Sequence, residues 1–121
     1  MTILNSIASW WMKKRMHQIE LFMKYPHDVQ HETLRKLIVA AKDTEWGKLY
    51  DYKNILHPAH FKEKVPLQDY DSLKPFIDRV RRGEQNIIWN TDIKWFAKSS
   101  GTTSDKSKYI PVSKESLDEC H

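Results

Sequence analysis

The sequence predicts an α/β chain in which an N-terminal helical layer leads into the first hairpin of a mixed sheet. Three observations predict it. Apolar residues recur at helical spacing through about 6–24, 27–43 and 72–82. After Gly83 short β-type runs replace that spacing. Two of those runs, within about 94–112, flank a loop dense in Ser and Thr.

The first helix covers 6–24. Ala8, Met12, Met16, Ile19 and Met23 follow at steps of four, four, three and four, which is one helical face suited to a protein core. Ser6 is its capping candidate. Tyr25-Pro26 ends it, because the residue before a proline avoids the helical region. The second helix, 27–43, carries Gln30, Leu34, Leu37, Ile38 and Ala41 on one face. Thr44-Glu45-Trp46-Gly47 reads as its exit, with Gly47 taking a left-handed conformation.

Residues 48–66 are mixed, with a turn of helix after Pro58 and an extended Val65-Pro66. Asp69 or Asp71 caps the third helix, 72–82, whose apolar face is Leu73, Phe76, Ile77 and Val80. Arg79, Arg81, Arg82 and Gly83 suit a helix C-terminus, where cations oppose the negative end of the dipole. Ile87-Ile88-Trp89 reads as a short extended piece. Lys94 to Lys98 reads as one strand and Lys108 to Val112 as a second, whose far edge would be exposed. Ser113 caps a last helix. The sequence reaches His121 two turns later, so residues 1–121 are expected to be one N-terminal part of a larger domain.

The chain has 121 residues, 40% apolar and 30% charged. Its mean hydropathy is −0.70. No stretch reaches the roughly 18 unbroken apolar residues of a spanning helix, so no membrane partner is expected. Three glycines, Gly47, Gly83 and Gly101, are too few and too far apart for the GxGxxG and GxxxxGK[ST] nucleotide fingerprints. The net charge of +4 lies mostly in residues 1–40, with six Lys or Arg against three Asp or Glu. That is too sparse for a nucleic-acid stripe, and no nucleic-acid partner is expected. Cys120 is the single cysteine, which fits a reducing compartment. The apolar run Ile7 to Met12 precedes Lys13-Lys14-Arg15, the reverse of a secretory signal, so the expected location is cytoplasmic.

The segment that carries chemistry is Ser99-Ser100-Gly101-Thr102-Thr103-Ser104-Asp105-Lys106-Ser107-Lys108, in which six of ten residues bear a hydroxyl. A polyphosphate needs many short-range donors that approach without bulk. Hydroxyls and exposed backbone N–H groups supply them. Gly101 lets the backbone come close, and a lysine neutralises charge as a point cation. The same composition also describes an ordinary solvated hairpin loop.

Ser99-Ser100-Gly101-Thr102-Thr103, with Lys108 five residues on and then Pro111, resembles the phosphate-loop signature of adenylate-forming enzymes. The spacing to the lysine is similar to that of the auxin-responsive-promoter family, the plant acyl acid amido synthetases and their bacterial relatives, and the chain resembles a bacterial-type member. Acyl-CoA synthetases and luciferases differ: they place a glycine where Ser104 stands here and the lysine where Ser107 stands. The likeness extends upstream through Thr44-Glu45-Trp46-Gly47-Lys48, Tyr50, Val65-Pro66-Leu67, Tyr70, Leu73-Lys74-Pro75-Phe76-Ile77, Arg79, Gly83-Glu84 and Phe96 to Ser100. Asp105 stands where plant members often carry a second glycine.

The resemblance implies the N-terminal part of a large adenylate-forming domain. It implies ATP and magnesium as cofactors, and a carboxylic acid with an amine or amino acid as substrates. An acyl-adenylate would form with release of pyrophosphate, and the amine would then displace AMP. Ser99, Ser100, Thr102 and Thr103 would donate to phosphate oxygens, Gly101 would permit the approach, and Lys108 would be the charge partner or would steady the loop. No acid, base or metal ligand is assigned. The competing reading is a non-catalytic, basic helical interaction module with an ordinary Ser/Thr-rich loop.

Other features have plainer explanations. His27 with His31, and His57 with His60, lack a third ligand or a neighbouring cysteine, so no metal site is expected. Lys13-Lys14-Arg15 beside Trp10-Trp11 could suit a membrane surface or RNA, but the methionine stripe on that helix favours core packing.

Overall fold

The computed structural model describes residues 2–100 and 107–119, with side chains from Asn5 onward at the N-terminus. Among the described residues the chain is mostly helical, with one two-stranded antiparallel sheet. That sheet is the predicted hairpin. The wider mixed sheet expected around it is not formed by the described residues. The chain divides into two compact units, Met1–Arg35 and Lys36–His121.

In the first unit α1 spans Thr2–Lys24. It starts before Ser6, which therefore lies inside the helix and is not its cap; nothing in Thr2-Ile3-Leu4-Asn5 breaks a helix. Tyr25 interrupts the helical path before Pro26, the first residue of α2, Pro26–Ala41. A proline is tolerated there because the first helical N–H has no partner in any case. The methionine stripe is not core: Met12, Met16 and Met23 are 63%, 54% and 73% exposed. The basic and aromatic residues pair locally, one turn apart, with Lys14 over the Trp10 ring and Arg15 over the Trp11 ring, 5.9 and 5.6 Å from the centroids.

In the second unit Ile38 and Ala41 are buried, whereas Leu37, expected beside them, faces outward. Thr44 then caps a short helix, α3, Glu45–Leu49. The Thr44 side chain is fully buried. Its hydroxyl donates to the Ala41 carbonyl (2.6 Å) and accepts from the Gly47 N–H (3.0 Å). Gly47 is thus inside a helix and not in the left-handed exit expected of it. What it supplies is absence of bulk: a Cβ there would stand 2.0 Å from the Ala41 oxygen. A 3-10 turn follows at Tyr52–Asn54. After it, α4 covers Pro58–Lys64.

Helix α5 spans Tyr70–Arg81. Asp69 caps it through a full capping box, its carboxylate accepting from the Ser72 N–H (2.8 Å) while the Ser72 hydroxyl accepts from the Asp69 N–H (3.1 Å). Ile77 and Val80 are buried, and Gly83 leaves the helix at φ +100.

Residues 86–91 form a series of bends, not the extended piece expected at Ile87-Ile88-Trp89. The reason lies in the main chain. The Glu45 N–H donates to the Asn86 carbonyl (3.0 Å) and the Trp46 N–H to the Ile87 carbonyl (2.9 Å). These are two of the donors that a helix start leaves without internal partners. The segment therefore serves α3 and no strand. Ile87 and Ile93 join Val80 in the core, with Phe76, Ile88, Trp89 and Phe96 packed against them.

The hairpin pairs β1, Trp95–Lys98, with β2, Tyr109–Val112, in the register Trp95↔Val112 to Lys98↔Tyr109. Ser113 caps α6, Lys114–Glu119, its hydroxyl accepting from the Ser116 N–H (3.1 Å).

Candidate functional site

The site is built outward from the hairpin's register. Just past the strands, the Ser99 N–H donates to the Lys108 carbonyl (2.9 Å), and the Lys108 N–H donates to the Ser99 hydroxyl oxygen (3.0 Å). This pair closes the mouth of the hydroxyl-rich loop. Ser99 accepts through a lone pair, which leaves the proton of its hydroxyl for donation. Ser99 and Lys108 are half-buried and Ser100 is exposed. Gly101, Thr102 and Thr103 lie outside the described residues.

In an antiparallel ladder, hydrogen-bonded and non-hydrogen-bonded pairs alternate. Ser99 and Lys108 are bonded, so Tyr109, opposite Lys98, turns its N–H and carbonyl away from β1. Tyr70 meets both. Its hydroxyl accepts from the Tyr109 N–H (2.9 Å) and donates to the Tyr109 carbonyl (3.3 Å). At that residue the edge of β2 is covered, contrary to the exposed edge expected from sequence.

Cations gather on the two tyrosine rings. The Arg81 guanidinium lies 3.8 Å from the Tyr109 ring centroid, with the Lys98 ammonium at 5.9 Å. The Lys108 ammonium is 5.6 Å from the Tyr70 centroid. Two cations thus lie on the Tyr109 ring and one on the Tyr70 ring. Tyr70, Arg81, Tyr109 and Lys98 were not among the sequence-derived candidates. One signal was available, because Tyr70 and Arg81 are eleven residues apart, about three helical turns, and share a face of α5.

A second charged cluster holds the scaffold. The Arg79 guanidinium binds both oxygens of Glu45 (2.6 and 2.8 Å) and also Glu84 (2.9 Å), joining α5 to α3 and to the turn after Gly83. Its sequence reading as a helix-end cation missed this tie. The hydrogen bonds from Arg79 hold the Glu45 carboxyl below its ordinary range, and those carboxylates raise the guanidinium's pKa. Asp69 is held down by Ser72, and Asp78 by Lys74. Asp51 is held down by Lys64 and then Asn54.

Each of these four carboxyls, Glu45, Asp51, Asp69 and Asp78, has a folded pKa below its unfolded value. The unfolded chain then binds more protons between the two values, and stability rises with pH there. The contribution is present above the ordinary carboxylate range of about 4 and is lost as pH falls through the depressed values. The thermal midpoint is therefore expected to be flat from about pH 6 to 5 and to fall steadily below about pH 4. Repeating the scan with Glu45→Gln should reduce that acid slope. An unchanged slope would remove Glu45 from the account.

His57 and His60 stack with ring centroids 3.6 Å apart, and His60 Nδ1 accepts from the Leu56 N–H at 3.4 Å. Among the described residues no three His, Cys, Asp or Glu side chains gather to hold an ion. No described helix is long and apolar enough to cross a membrane.

Comparison with known proteins first defines a class. The chain is 33% identical over 106 residues to indole-3-acetic acid-amido synthetase GH3.2 of Arabidopsis thaliana, covering 87% of this chain and 19% of that protein. It is 30% identical over 107 residues to jasmonoyl-L-amino acid synthetase JAR6 of Nicotiana attenuata, covering 88% of this chain and 18% of that protein. A jasmonoyl-L-amino acid synthetase of Oryza sativa subsp. japonica is 32% identical over 101 residues, or 80% of this chain and 22% of that protein. These relatives are named as amido synthetases, and the chain spans about a fifth of their length. Residues 15–121 match the family described as GH3 family N-terminal domain. The chain belongs to the GH3 family.

Proposed function

We propose that this chain supplies the phosphate-binding hairpin of an ATP-dependent acyl acid amido synthetase. The observation that carries the reading is the Ser99–Lys108 pair. It closes the base of a hydroxyl-rich loop, with Lys98 at the end of β1 and Lys108 just before β2. The names of the relatives support the reaction class, a carboxylic acid joined to an amine or amino acid.

In this reading ATP binds with its β- and γ-phosphates over the loop. Ser99, Ser100, Thr102 and Thr103 donate to phosphate oxygens, Gly101 lets the backbone approach, and Lys108 opposes the charge. Fixed donors of this kind stabilise the charge that grows on departing pyrophosphate without reorganising at the moment of reaction. Magnesium would arrive on the triphosphate, whose hard oxygens are its usual ligands. The described residues offer it no carboxylate cluster.

The test is a titration of the full-length protein with ATP and magnesium, followed by acid-dependent exchange of pyrophosphate into ATP. Saturable binding is expected. Ser100→Ala combined with Thr102→Ala should lower the exchange rate about 100-fold, the scale of losing fixed oxyanion donors. Indifference to both changes would leave the interaction-module reading in its place.

A further inference from the structure

We infer that Tyr70 is a positioning residue that holds Lys108 for the nucleotide. The inference rests on the phosphate-loop reading and adds a residue to it. Tyr70 touches the lysine segment in two ways. Its hydroxyl takes both outward main-chain groups of Tyr109, the residue bonded to Lys108 in sequence. Its ring lies beneath the Lys108 ammonium. A flexible four-carbon side chain is thereby fixed at its root and guided at its tip, which cuts the entropy lost when it engages an anion.

Tyr70 is itself well fixed. It is the first residue of α5, directly after the Asp69 cap and its box with Ser72. Three turns later the same helix places Arg81 on the Tyr109 ring. Helix α5 therefore grips the start of β2 from both ends, by a hydroxyl on its main chain and a guanidinium on its side chain. A hydroxyl that covered a strand edge for stability alone would have no need of the ring contact with Lys108.

The experiment is a double-mutant cycle on the dissociation constant of magnesium-ATP, measured with the full-length protein. Tyr70→Phe removes the two hydrogen bonds and keeps the ring. It should weaken ATP binding about fivefold, the worth of about one net hydrogen bond. In a Lys108→Ala background it should cost nothing further, because the group it positions is gone. 4-Aminophenylalanine at position 70 keeps a para donor and acceptor and should restore affinity.

Three results overturn the inference. The first is an unchanged ATP constant in Tyr70→Phe when Lys108→Ala weakens binding. The second is a pair of effects that multiply independently. The third is loss of the folded state in Tyr70→Phe, since a structural role would then suffice. If Lys108→Ala itself left ATP binding intact, the phosphate-loop reading would fail, and this inference with it.

Discussion

Gly47→Ala is expected to lower the unfolding free energy by about 3 kcal/mol, the upper range for overpacking a close contact. The added carbon would meet the Ala41 oxygen at 2.0 Å, the Ala41 carbonyl carbon at 2.9 Å and the Lys42 carbonyl carbon at 3.0 Å. All three are main-chain atoms, so no side chain can swing aside. The Thr44 hydroxyl bridges the Ala41 carbonyl and the Gly47 N–H, and so holds the clashing partners together. Relief would require giving up that bridge inside a fully buried site. Thr44→Ala, which removes the bridge without adding bulk, should cost about 1–2 kcal/mol, and Thr44→Ser should recover most of it. Chemical denaturation reads all three variants. A Gly47→Ala loss under about 1 kcal/mol would mean that the approach of α3 to the end of α2 is looser than described.

Ile87→Ala is expected to cost about 3 kcal/mol through lost burial and the cavity left beside Val80 and Ile93. Ile87→Val should cost about 1 kcal/mol. Ile87 is 4% exposed and sits in a segment without regular structure, so side-chain packing and not a ladder keeps it in place. The same residue's carbonyl accepts from the Trp46 N–H. Loosening it should therefore speed hydrogen exchange at Glu45 and Trp46 before the rest of the unit. Uniform acceleration across the second unit, with no early change at those two amides, would break the link between this segment and α3.

Much of the helical framework was legible because its signals are local. The Tyr25-Pro26 break, an aspartate cap at Asp69 or Asp71, and the Leu73, Phe76, Ile77, Val80 face need no knowledge of distant residues. The hairpin strands and the Ser113 cap were legible for the same reason. What escaped the sequence depends on partners far away in the chain. Thr44 to Gly47 look like a helix exit until Asn86 and Ile87 are seen to accept from the Glu45 and Trp46 N–H groups at the start of α3. Ile87 to Trp89 has β-type composition, but its main chain is spent on the start of α3. Met12, Met16 and Met23 have core spacing, yet periodicity gives a face and not what covers it. At the candidate site, Ser99 and Lys108 could be named from the loop's composition and its family likeness. Tyr70 could not be given its role, because a tyrosine at a helix start announces nothing about a strand 39 residues later.

The outer side of β2 has a directional consequence. Tyr109 has both main-chain groups engaged by Tyr70. Two residues on, Pro111 stands at the next outward-facing position and has no N–H to offer. A newcomer laid along β2 would have to displace a tyrosine and forgo a bond at the proline. Growth of the sheet, whether by more of the same polypeptide or by misassembly with another copy, is therefore steered to the opposite flank, beside Trp95 to Lys98.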